Sequence, residues 1–107
     1  MTGSLPLPIL NGAFRIESYS TTLRADIPGQ GTTILTEETM GVTPIPGYSL
    51  IGVVRYDIGH KGLAITGCSA NATGKLYITL TNRLNTPQGN GHNFGVQCLW
   101  VKSELLA

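Results

Sequence analysis

Residues 75–83, KLYITLTNR, place Leu76, Ile78 and Leu80 at every second position, with Tyr77, Thr79 and Thr81 between them. A period of two sends alternate side chains to opposite faces, so this run predicts a strand with one buried and one wet side. The pattern returns in FGVQCLWVK (94–102), where Phe94, Val96, Cys98 and Trp100 share a face. SLIGVVRYDI (49–58) and LAITGCSA (63–70) are apolar, β-branched runs of strand length. The segments between them, GHKG (59–62), NATG (71–74) and LNTPQGNGHN (84–93), supply the glycine and asparagine that reversals of direction require. No stretch sustains a period of 3.6, so helix is expected at most in a fragment such as 103–107. Short strands joined by such turns predict an all-β fold, an antiparallel β-sandwich, jelly-roll-like.

The first half is less regular. Residues 1–12 hold two prolines and end in Asn11-Gly12, which reads as an extended N-terminal arm or linker before a β-sandwich domain over 13–107. AFRIESYSTTLRADI (13–27) alternates Phe14 and Ile16 with Arg15 and Glu17, then turns rich in Ser and Thr: one strand or two short ones. PGQG (28–31) is a turn and TTILT (32–36) a short β-branched run. Pro44 and Pro46 argue against helix and against a central strand in 37–47. The glycine in LAITGCSA suggests a bulge.

At 107 residues the chain is expected to build one core. Charged residues make up 12%, about half the usual share, and Ser, Thr, Asn and Gly fill the shortfall. Such a surface suits an extracellular or virion-like assembly. The net charge is +1 and there is no basic run, so the electrostatic footprint of a nucleic-acid binder is absent. No apolar stretch approaches 18 residues, and the N-terminus lacks the basic start and apolar core of a secretory signal.

Candidate sites are few. Arg55 and Asp57, two residues apart on one strand, point to one face together with Ile51 and Val53. They read as the polar end of a strand or, with Tyr56 and Tyr77, as part of an oligomer interface. His60 and His92 lie in predicted loops without the spacing of a metal site, so no metal and no cofactor are expected. An enzyme using Asp57, His60 or His92 is the third-ranked reading. Cys68 and Cys98 read as buried free thiols, with a disulfide as the alternative if their strands adjoin. No nucleophile motif and no phosphate-cradling loop occurs. Asn71-Ala72-Thr73 matches a glycosylation acceptor. Tyr19, Tyr48, Tyr56, Tyr77 and Trp100 include rings able to stack on sugars. The loop residues Asn85, Gln88, Asn90, His92 and Asn93, with Tyr48, carry the polar chemistry of a ligand site.

The order GYSLIGVV (47–54), GKLYITLTNR (74–83), FGVQCLWVK (94–102) resembles the small C-terminal β-sandwich domains of virion fibre and decoration proteins of tailed bacteriophages. The resemblance covers about half of the chain and rests on strand patterns. It implies a homotrimeric, non-enzymatic knob on the capsid or tail surface. It also implies attachment to other virion proteins through the N-terminal arm, and contact with a host cell-surface glycan. The stalk of a typical fibre has no counterpart in these residues. A stand-alone carbohydrate-binding module is the alternative.

Overall fold

The computed structural model describes residues 12–106. In chain order the elements are β1 (Phe14–Thr22), β2 (Thr32–Thr36), the short helix α1 (Glu37–Met40), β3 (Tyr48–Ile58), β4 (Leu63–Ala70), β5 (Leu76–Asn82), β6 (Asn93–Lys102) and a 3₁₀ turn at Ser103–Leu105. They form two three-stranded sheets ordered β1-β6-β3 and β2-β5-β4, every pairing antiparallel. The all-β sandwich expected from the sequence is therefore present, though its six described strands fall short of the eight of a jelly roll. The proposed arm lies almost wholly outside the described residues.

β5 and β6 are the central strands, and their alternation builds the core. Leu76, Ile78 and Leu80 from one sheet meet Phe94, Val96, Cys98 and Trp100 from the other, all of them buried. Each large apolar side chain so enclosed contributes roughly 1.5–3 kcal/mol. Leu23, Ile27, Leu35, Met40, Val42, Leu50 and Leu63 complete the buried cluster from the flanking elements and loops. Trp100, grouped with the sugar-stacking rings on sequence, is fully buried and donates its indole N–H to Tyr19 Oη at 3.0 Å.

The edge strands depart from simple alternation. β3 is bulged twice against β6, between Leu50 and Gly52 and between Val53 and Arg55. Ile51 and Val54 are the inserted residues, and each insertion resets which face follows. The single face expected for Ile51, Val53, Arg55 and Asp57 is thus broken. Val53 pairs with Cys98 and faces the core, whereas Arg55 and Asp57 pair with Gln97 and Gly95 on the outside. β4 carries the bulge that its glycine suggested, between Ile65 and Gly67.

A helical turn also forms within 37–47, where the prolines predict none. Pro44 and Pro46 lie beyond α1, which Gly41 closes in the left-handed conformation at φ 75°, while Val42 N–H donates to Glu37 O at 2.8 Å. Glu37 Oε1 also accepts the Leu76 N–H at 2.9 Å, and that bond holds its carboxyl below the usual glutamate range.

Candidate functional site

The loops at one end of the sandwich bind one another. Asn82, fully buried at the end of β5, donates its amide to Ile27 O, Thr86 O and Pro28 O and accepts the Leu84 N–H. Ile27 and Gln88 exchange backbone bonds of 2.6 and 3.0 Å, joining the β1–β2 connection to the β5–β6 loop. Gly29 permits the close approach: a Cβ there would lie 2.4 Å from Asn85 O. Gln30, left-handed at φ 60°, donates to Arg83 O and Asn85 Oδ1.

This network absorbs much of the polar chemistry placed in the 85–93 loop. Asn85 Oδ1 accepts from Gln30. Gln88 bonds His60 and Thr86, and Asn93 Oδ1 accepts from Thr22. Asn90 N–H donates to Asp26 Oδ1, and the His92 ring stands exposed. Tyr48 is not among these residues. It pairs with Lys102 at the other end of β6, about 30 Å away by strand rise. There its hydroxyl donates to Gly12 O, with the Arg15 guanidinium 5.3 Å over its ring.

The two histidines do meet, with ring centroids 4.7 Å apart and planes at 79°. His60 Nδ1 accepts the Gly62 N–H at 3.0 Å, so Nε2 carries the proton and donates to Gln88 Oε1 at 2.9 Å. Both ring nitrogens of His60 thereby lock the β3–β4 turn. Asp57 borders the same shallow hollow as His92. Among the described residues no three His, Cys, Asp or Glu side chains gather as a metal site.

The outer face of the β1-β6-β3 sheet is organised differently. Phe14 and Ile16, paired with Val101 and Leu99, stand outward, and the two residues inserted in β3, Ile51 and Val54, are exposed as well. Phe14 is 65% exposed, Ile16 58%, Ile51 48% and Val54 54%. Half-exposure of four such side chains leaves about 4 kcal/mol of apolar transfer unrealised. β1 is thus inverted. Its apolar residues face out, while Arg15 and Glu17, bonded at 2.6 Å, lie on the core side opposite Trp100 and Cys98. Toward the loop end the face turns polar. Ser18, Ser20, Arg55, Asp57 and Gln97 border a shallow groove of about 280 Å³, with Gly95 opening its floor. Arg55 and Asp57 are exposed, and neither has a hydrogen-bond or ion-pair partner among the described residues.

The four residues expected at an interface are therefore dispersed. Arg55 and Asp57 stand on this face, and Tyr56 pairs with the inward Val96 at the sheet edge. Tyr77, opposite Thr36 and Ser69, lies on the outer face of the other sheet. Sequence reading passed over Phe14, Ile16, Ile51 and Val54. The signal lay in Phe14-Arg15-Ile16-Glu17, but choosing its outward set requires the β1–β6 register.

Cys68 and Cys98 are both free; Cys98 is buried, but Cys68 is exposed, contrary to the expectation of two buried thiols. β4 is an edge strand of its sheet, and there Cys68 accepts a hydrogen bond from the Val53 backbone. Burial pushes the Cys98 thiol up to about 11. Partial desolvation raises Cys68 too, by less. At pH 8 iodoacetamide is expected to label Cys68, more slowly than a free thiol, and to spare Cys98 until the protein unfolds. Equal native labelling of the two, read by peptide mass, would contradict this packing.

No family model, curated protein or solved structure matches the chain.

Proposed function

We propose that this chain is a non-enzymatic structural protein of a phage virion, a fibre or capsid-decoration knob that assembles as a homotrimer on the capsid or tail surface. The observation that carries self-assembly is the exposed apolar half of the β1-β6-β3 face. Contiguous apolar patches on a folded domain mark surfaces that meet partners. Low charge and a hydroxyl-rich exterior agree with a module that spends its life among neighbours. The virion setting rests on the strand-pattern resemblance, and the N-terminal arm is the link to other virion proteins in this reading. Native mass spectrometry at micromolar concentration tests it: a species of three times the 11.3 kDa chain mass is expected, and a strict monomer would end the proposal.

A carbohydrate-binding module is the second reading, favoured by the groove that Arg55, Asp57 and Gln97 border. Its ligand would be a host cell-surface glycan. Glycan-array binding that is lost in Arg55→Ala, with the thermal midpoint unchanged, is the expected result. Binding that survives Arg55→Ala would remove the groove from consideration.

A further inference from the structure

We propose that the outer face of β1-β6-β3 is the contact between copies of this chain, with Phe14, Ile16, Ile51 and Val54 packing on neighbouring copies and Arg55 of each copy pairing with Asp57 of the next around the threefold axis. This rests on the self-assembling reading above and names its surface.

Three observations point to a second copy. First, β1 turns its apolar residues away from its own core and its Arg15–Glu17 pair toward it, an arrangement that leaves the apolar set available to an outside body. Second, the charges are self-complementary. Arg55 and Asp57 sit one row apart on the same face, of opposite sign and unpartnered in their own chain among the described residues. A copy brought up by a symmetry axis presents an acid for each base and a base for each acid. A foreign partner would have to supply that match independently. Third, the size suffices for a modest contact. Nine residues of strand by three strands give a face of about 30 by 14 Å, roughly 400 Å² before side-chain relief. Counted on both partners that is about 800 Å², below the roughly 1,200–2,000 Å² of stable interfaces and in the range of weak ones, so association should vary with concentration in the micromolar range.

The test uses the full chain. Ile16→Ser and Phe14→Ser remove side chains that are mostly exposed, so each variant should keep its tryptophan emission and its melting point when dilute. Each should weaken association at least tenfold by sedimentation velocity. Arg55→Asp should also weaken it about tenfold, as should Asp57→Arg. Mixing those two charge variants should restore assembly as hetero-oligomers, which a purely structural role for either residue would not produce. If the wild-type chain is a monomer throughout, this surface and the self-assembling reading both fail. If the wild-type oligomer persists in Ile16→Ser and in Arg55→Asp, copies meet elsewhere, and only this surface is overturned. If the chain stays monomeric while Ile9→Ser in the N-terminal arm opens the face to an apolar dye, the arm is the occupant, and the assignment to a second copy is likewise overturned.

Discussion

Replacing Asn82 with aspartate is expected to lower stability at pH 7 by about 4 kcal/mol and the thermal midpoint by about 20 °C. The change is nearly isosteric, so no cavity forms. What changes is the sign of the group at the centre of the loop bracket. The Asn82 amide nitrogen lies 2.9 Å from Ile27 O, 2.8 Å from Thr86 O and 3.3 Å from Pro28 O. A carboxylate there would set negative charge against three carbonyl oxygens in a site closed to water. The carboxyl would answer by holding its proton, so its folded pKa would rise above the unfolded value of about 3.9. A group raised in this way favours the folded state below its unfolded pKa and loses that advantage as pH rises through the folded pKa. The deficit should therefore be largest at neutral pH and shrink toward pH 4, leaving about 1–2 kcal/mol for the lost N–H donor. Melts of wild type and variant at pH 4 and pH 7 read both numbers. A midpoint within about 3 °C of wild type at pH 7 would show that the bracket does not hold the loops.

What the sequence disclosed follows from where each strand sits. β5 and β6 are flanked on both sides and covered on one face, so water and core sort their side chains strictly, and the alternation of Leu76, Ile78, Leu80 and of Phe94 through Trp100 can be read directly. β1 is an edge strand. Its core-side residues reach the rim, where Arg15 lies over Tyr48 and bonds Glu17, so charge there costs little and the period of two no longer tells inside from outside. In β3 the faces depend on two backbone insertions, and nothing in LIGVVR marks Ile51 and Val54 as the extra residues. The loop at 85–93 was legible as polar but not as spent. That Gln30 would claim Asn85, and Thr22 claim Asn93, depends on contacts 55 and 71 residues apart in sequence. The apolar outer face was hidden for the same reason as the inversion of β1.

The Trp100→Ala variant should lose about 4 kcal/mol, and the reason reaches past the size of the cavity. The ring is fully enclosed on the central strand β6, between Leu50 on β3 and Arg15 on β1. A Cβ added at Gly74, in the β4–β5 turn, would lie 3.5 Å from the ring and 3.6 Å from Pro44. The indole therefore backs the turn at Gly74, which itself lies against Pro44 in the loop ahead of β3, and its removal should loosen that end. Its N–H is satisfied by Tyr19 Oη, whose own ionisation is pushed upward by burial. Trp100→Phe separates the two contributions, since it keeps most of the ring and drops the bond. It should cost about 2 kcal/mol, with Tyr19→Phe costing about 1 kcal/mol for the partner left unpaired. In wild type and in Tyr19→Phe the single tryptophan reports directly, its emission moving to longer wavelength as it enters water; circular dichroism must serve for the other two variants. A Trp100→Ala protein that melted with the wild type would place the indole at the surface, return it to the sugar-stacking candidates, and dissolve the core described above.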